Sequence, residues 1–298
     1  SPAIILLLVF TVWPIFNTVR MAFLNYYNAM EAAWGQTFDI GIDNFLKVLT
    51  YDDFLTCLKN TMLLTVLTVP LSTLLALLVA VALNSIKWLQ KGLQTIFFLP
   101  YVTNSIAIGM VFAAMFNIIG LRPNGLQADS WGIINNVIMF FGGQPINWIN
   151  AQSSYWANIV VMTVYIVWNA LPFKILILLG GLQSINKQYY EAARVDGTPR
   201  RRVFTRITVP LLSPMLAYVI ITGFIGGFKE YSSIVGVFGD KMGPAHDAGS
   251  LNTMVGFVYD QIAKDRQGVA SAAALILFAI ILAVTLFNTK VINKRVHY

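Results

Sequence analysis

The chain has 298 residues, 57% of them hydrophobic and only 11% charged, with a net charge of +7 and a mean hydropathy of +0.68. A soluble domain carries about a quarter of its residues charged, so this chain lacks the charge for a solvated skin, and its solvent is a bilayer. One cysteine, Cys57, excludes an internal disulfide, the separated His246 and His297 make no metal cluster, and no G-x-x-x-x-G-K-[ST] loop or nucleophile–base pair is present, so no enzymatic chemistry is expected in this chain.

Six uncharged runs each reach the roughly 20 residues that a membrane helix takes: 1–19, 61–83, 92–121, 153–173, 207–228 and 267–289. They are rich in Leu, Ile and Ala without period-two alternation, which argues against barrel strands. The first run has no basic leader and no small-residue cleavage site, and it holds Trp13 and Pro14. It reads as a span rather than a signal peptide, in a chain trimmed at its natural start. The expected fold is an all-α polytopic membrane protein, six transmembrane helices in one domain over 1–298.

Orientation follows from basic residues. Both termini share one side with segments 84–91, 181–206 and 290–298, which hold eleven Lys and Arg against only Glu191 and Asp196. The other three loops, leaving aside Arg20, Lys229 and Glu230 at the span ends, hold six basic residues against ten acids. The Lys/Arg-rich side is the cytoplasm. The net charge therefore reports topology, and no nucleic acid partner is expected.

The first outer loop contains Cys57, placed facing outward, and the stretch GIDNFLKVLTYDDFLTCLKNT. Its Phe45, Leu46, Leu49, Phe54, Leu55 and Leu58 predict short amphipathic helices on the outer surface before the second span. The stretch GIINNVIMFFGGQPINW predicts another before the fourth. Such helices serve either packing on the bundle or docking of an outer partner. Prolines 14, 70, 100, 172, 210 and 214 interrupt the spans, which bilayer helices tolerate when neighbours satisfy the freed carbonyls.

Charge collects in LQSINKQYYEAARVDGTPRRRVFTRITVPLLSP, residues 182–214. Ser184 or Asn186 can cap a helix start. Leu182, Ile185, Tyr189, Ala192 and Ala193 then fall near one face, and Lys187, Gln188, Glu191 and Arg194 largely on the other. Gly197 suits the left-handed position after a helix end. Thr198 and Pro199 restart a helix as N-cap and N1. A positive-inside loop accounts for the arginines but not for this compact helix–Gly–helix design.

The spacing Glu191-Ala192-Ala193, Gly197 and Ile207-Thr208-Val209-Pro210 resembles the EAA loop, E-A-A-x3-G-x9-I-x-L-P, of permease subunits of binding-protein-dependent ABC importers, with Val209 as the one departure. Residues 171–173 (LPF), 180–185 (GGLQSI) and 146–148 (INW) are similar to the carbohydrate branch of these importers. The resemblance implies a type I importer permease in a prokaryotic cytoplasmic membrane, with 181–206 as the cytoplasmic coupling loop. It implies a helix seated in a separate ATPase through Glu191, Ala192, Ala193, Gly197 and Pro210. It also implies two ATPase subunits that hold ATP and Mg, no cofactor in this chain, a homologous sister permease in a heterodimer, an outer solute-binding protein, and a sugar cargo.

A sugar path needs hydrogen-bonding groups and aromatic faces at membrane depth. The spans flanking the loop offer Trp168 and Phe173 for stacking, Asn169 as donor and acceptor, Glu230 and Tyr231 for the outer half, and Gly223, Gly226 and Gly227 for space. Each residue alone also fits simple helix packing. Lys174 is expected to snorkel towards the cytoplasm, roughly 20 Å in depth from Glu230 at about 1.5 Å per residue. The alternatives are a permease for a non-sugar solute, an ion-coupled secondary transporter or channel, which calls for intramembrane ionisable residues and often inverted repeats, and a membrane assembly factor.

Overall fold

The computed structural model describes residues 1–86, 92, 95–96, 99, 101–122 and 127–293. Among them the chain is helical, with two isolated bridges and no strand. The first span, α1 (Pro2–Ala22), has one π-helical turn at Leu8–Val12, just before Pro14. Proline removes a backbone donor and crowds the preceding turn, and a wider turn relieves that. Most of α1 is unburied, and its outer end packs on the last span. That end is held by Asn44 of α2 (Asp43–Thr50). Its amide donates to the carbonyls of Ala22 (3.0 Å) and Leu24 (2.7 Å) and accepts from the Tyr26 amide (3.0 Å). One buried side chain thus satisfies carbonyls that a helix end leaves open.

The second span corrects the expected loop. Within the stretch 41–61, α2 alone is a separate helix. From Asp52 the chain runs without interruption to Ser85 as α3. Cys57 lies within α3 and is 1% exposed, instead of standing in a loop. The reason is continuity of the helix-forming pattern from Asp52 onward, with Phe54 and Cys57 turned into the bundle.

Between Asn60 and Thr73 the buried face of α3 is largely polar: Asn60, Thr61, Thr65, Thr68, Ser72 and Thr73 are inside beside Leu64 and Val69, while Val66, Leu74 and Leu78 are more than half exposed. Lipid is as apolar as leucine, so the hydrophobic effect does not drive leucines inward here, and small and hydroxylated residues form the helix contacts. Thr61, Thr65, Ser72 and Thr73 return their hydroxyls to carbonyls four residues back, at 2.5–2.8 Å. Against this face packs α6 (Tyr155–Ser184), capped by the Ser154 hydroxyl and carrying Pro172 inside it.

The third apolar run is broken. Asn104 caps α4 (Ser105–Phe116) by accepting from the amides of Ile106 and Ala107, and part of the run before it, 92–100, lies outside the described residues. The outer helix α5 (Gly132–Phe140) forms as the pattern predicts. The loop helix α7 (Lys187–Val195) follows α6, and α8 (Arg200–Leu211) leads into α9 (Ser213–Phe228) across a 66° bend at Leu212. The fifth span is thus bent at the place where Pro210 and Pro214 interrupt its apolar run. Next come α10 (Ser232–Phe238), α11 (Met254–Ala263) and the last span α12 (Gln267–Asn293). Helices α4 and α10 touch backbone to backbone: a Cβ on Gly109 would lie 2.6 Å from the Gly236 Cα. Of the six expected spans, α1, α3, α6 and α12 are long single helices, the fifth is the bent pair, and the third contributes the short α4.

Candidate functional site

Two places lie along α6: the loop that follows its end and a cavity beside its middle. In the loop, Asn186 caps α7, its side-chain oxygen 3.0 Å from the Gln188 amide. The helix closes with bonds from the amides of Gly197 to Arg194 O (3.1 Å) and Thr198 to Ala193 O (2.9 Å), with Gly197 at φ +64°. That is the glycine-terminated helix end read in the sequence. Two details differ. The Thr198 amide is used in this closure, and the following helix starts at Arg200 after an extended Pro199, so threonine is not its cap. The two alanines also part company. Ala193 is buried against the protein's own core, while Glu191, Ala192 and Val195 are exposed. Nine residues make only two and a half turns, and adjacent positions lie about 100° apart. The Tyr190 hydroxyl lies 3.3 Å from the Thr208 hydroxyl, which ties α7 to α8. Pro210 stands two residues before the bend.

The cavity, about 270 Å³, is lined by α3 (Thr68, Val69, Ser72), by Tyr101, by α6 (Ile166, Asn169, Ala170, Phe173, Lys174), by α9 (Thr222, Gly223, Gly226, Gly227) and by Glu230. Phe173 stacks on Tyr101, ring centroids 5.7 Å apart and planes 19° apart. The Asn169 amide is 3.4 Å from the Ser105 hydroxyl. Trp168 packs 5.2 Å from Phe112, and Tyr231 lies 4.7 Å from Tyr259; neither lines the cavity. Of the five pathway candidates, the structure gathers Asn169, Phe173 and Glu230. Gly226 has open space where a Cβ would be, whereas Gly223 sits against Val69 and Lys174, and Gly227 against Thr65.

Lys174 corrects the sequence reading. It does not snorkel to the membrane edge. It is buried, and its ammonium donates to Ser72 Oγ (2.7 Å), Thr73 Oγ1 (3.0 Å) and Val69 O (3.3 Å). It also shares the cavity with Glu230. The bend moves the start of the fifth span inward to Ser213. Counting about 1.5 Å per residue, Lys174 then stands ~15 Å above Ser184 and Glu230 ~26 Å above Ser213. Lining one cavity, the two are separated by no more than that cavity's width.

A buried polar knot closes the other side of Glu230. Asn60 donates to the carbonyls of Ser250 (2.8 Å) and Asn252 (2.9 Å) and accepts from the Tyr155 hydroxyl (2.7 Å). Thr253 donates its hydroxyl to Glu230 O (2.8 Å), and Asn252 reaches Asp260 (2.6 Å). Sequence reading missed this knot; Asn60, at the very edge of the uncharged run 61–83, was its one visible signal. Asn135, also missed, accepts from the Trp148 indole (3.0 Å) and fixes the 146–148 turn.

The model of the binding-protein-dependent transport system inner membrane component matches residues 72–298. The chain belongs to that family. The match takes in loop 181–206 and every cavity residue except Thr68 and Val69. This family member is therefore a multi-pass membrane permease with the type I importer permease fold, working with a binding protein. It is 28% identical over 294 residues to the arabinooligosaccharides transport system permease protein AraP of Bacillus subtilis, covering 97% of this chain and 86% of AraP. It is 28% identical over 291 residues to the lactose transport system permease protein LacF of Rhizobium radiobacter, covering 97% and 89%. Its fold is similar to a chain of a bacterial ABC transporter involved in the import of the acidic polysaccharide alginate, with a TM-score of 0.74, 23% identity, and 99% and 93% of the two chains covered.

Proposed function

We propose that this chain is one of two homologous permease subunits of an ATP-driven importer that brings a sugar, most simply an oligosaccharide, across a prokaryotic cytoplasmic membrane. The observation that carries this reading is mechanical. The helix α7 hangs between α6 and α8, and α6 and α9 also wall the mid-depth cavity. Displacement of α7 is therefore delivered to both cavity walls through helices, with no long flexible linker between.

The whole chain acts as one transmembrane domain, with loop 181–206 and both termini in the cytoplasm. Glu191, Ala192 and Val195 are the side chains that α7 offers to an ATPase subunit, while Ala193, Gly197 and Pro210 shape and anchor the loop. ATP and Mg bind in two such ATPase subunits, and this chain holds no cofactor and performs no catalysis. A solute-binding protein delivers the sugar from outside. In the cavity, Phe173 with Tyr101 supplies an apolar ring platform, and Asn169 and Glu230 supply polar partners, the pattern of small-molecule sites. At about 270 Å³ the cavity is small for an oligosaccharide, consistent with a second wall from the sister permease.

The deciding experiment is reconstitution of the complex purified through this chain. Uptake of an oligosaccharide into proteoliposomes should require ATP on the α7 side and the binding protein on the other. Uptake driven by an ion gradient without ATP would overturn the reading.

A further inference from the structure

Among the described residues the cavity is lined by one cation and one acid, and they differ in what they have left to offer. An ammonium has three donors and no acceptor. Lys174 spends all three on Ser72, Thr73 and Val69, acceptors of its own chain. A cargo anion entering the cavity would find no free donor on Lys174 without breaking that clip. A carboxylate is the reverse: it accepts only, at about four lone-pair positions. Glu230 takes one hydrogen bond from the Ser233 amide at 3.1 Å, and its other near donors, the Tyr231 amide and the Ser233 hydroxyl, belong to the same following turn. At least one acceptor position is left for the cavity that Glu230 lines.

We infer that Glu230 is a charge filter: the cavity passes neutral polyhydroxylated cargo, whose hydroxyls donate to Glu230, and disfavours acidic sugars, which bring a second negative charge and no donor at that point. Lys174 is a positioning residue in this arrangement. It fixes the α3–α6 contact beside the cavity and does not answer a cargo anion. The inference rests on the cavity being the sugar path and adds the class of sugar. It sets this chain apart from the transporter of an acidic polysaccharide whose fold it shares.

The test reads occupancy of the cavity directly, so that selection by the binding protein does not intervene. Thr222 lines the cavity, and Cys57 is buried enough to leave little background. In the assembled complex, Thr222→Cys is labelled with a water-soluble maleimide in the presence of matched sets: lactose, lactitol and lactobionate, with the same three forms of maltotriose and of arabinotriose. The alditol and the aldonate are both open-chain at one end and differ in charge. The alditol should protect at least about tenfold better than the aldonate. Adding Glu230→Gln should bring that ratio within about twofold, and Glu230→Asp should keep it. Equal or better protection by the aldonate overturns the filter and leaves the sugar path standing. An unchanged ratio in Glu230→Gln places the filter on another residue and overturns the assignment. Protection by no member of any set removes the sugar path, and the filter with it. Should Glu230→Gln fail to assemble, the alditol-to-aldonate ratio in Thr222→Cys alone still decides against the filter if it is near one.

Discussion

Lys174 and the arginines of loop 181–206 carry the same formal charge and lie within 32 residues of one another, yet the protein treats them in opposite ways. Arg200 and Arg201 are exposed and stand in the first turn of α8, beside the extended Pro199. Lys174 is buried at mid-depth with every ammonium proton assigned. In water an ammonium or guanidinium is solvated wherever it points, so its position is loosely specified and its sign reports which side of the membrane it is on. Within the bilayer region the same charge is costly unless protein groups replace water, so its position is specified by acceptors. The cavity end of α6 is therefore a place of fixed coordination, and the loop end a place of adaptable contact.

The largest effect that follows is at Lys174. Replacing it with Glu puts an acceptor-only group against Ser72 Oγ, Thr73 Oγ1 and Val69 O, and adds a second acid to the cavity of Glu230. An uncompensated charge near a bilayer centre costs about 3 kcal/mol on insertion scales. Recovery of the assembled complex should fall by more than tenfold, read as yield after detergent extraction and size-exclusion chromatography. Lys174→Met should be far milder, because Ser72 and Thr73 already bond to their own helix carbonyls and are not orphaned. If Glu and Met assemble equally well, the ammonium is not coordinated as described.

At the loop end the expected effect is smaller and falls on a different quantity. Gly197 has nothing within 4 Å of where a Cβ would stand, so Gly197→Val suffers no clash; its cost is the positive φ alone. Left-handed backbone costs roughly 1–2 kcal/mol for an ordinary residue, and more for a β-branched one. Gly197→Val should assemble in the membrane near wild-type levels but retain the ATPase about fivefold less well on co-purification. Gly197→Asn should recover most of it, since asparagine tolerates this region. Equal ATPase retention by Val and wild type would separate the turn from coupling.

The two ends also differed in how legible they were. The loop could be read almost residue by residue, because a cap, a glycine stop and a proline turn are local: Asn186, Gly197 and Pro199 act within five residues of where they stand. Its misreadings were local as well, with Thr198 consumed by the helix closure and Ala193 turned one residue's rotation away from Ala192. The cavity was legible only in part. Asn169, Phe173 and Glu230 could be picked by chemical type, but their convergence depends on the 66° bend after Pro210, which the apolar run does not reveal. Lys174 was misjudged because its acceptors are about a hundred residues away on α3, and a hydroxyl facing a lysine looks in sequence like any other small residue. The same holds for Cys57, whose loop turned out to be the first turns of a 34-residue helix.

The smallest effect separates two glycines of the cavity wall and tests its geometry most finely. A Cβ at Gly223 would meet Val69 Cγ1 at 3.1 Å and Lys174 Nζ at 3.2 Å, whereas one at Gly226 would meet nothing within 4 Å. Both are helical positions in α9, where alanine is favoured over glycine by up to about 1 kcal/mol. That gain is common to both substitutions and cancels in the comparison. Gly223→Ala must push on a coordinated ammonium and a packed valine, so it should lose thermal stability relative to Gly226→Ala by about 1 kcal/mol, the low end of overpacking costs. Gly226→Ala should be neutral or slightly stabilising in detergent, with its one methyl group standing in the cavity. Its effect should therefore appear in transport, as a modest rise in the sugar concentration needed for half-maximal uptake, about twofold. The measurement is a melting curve and an uptake titration on the same two preparations. The opposite ranking, with Gly226→Ala less stable than Gly223→Ala, would mean that α9 is rotated away from the face assigned to it, and that the wall beside Lys174 is built by other residues.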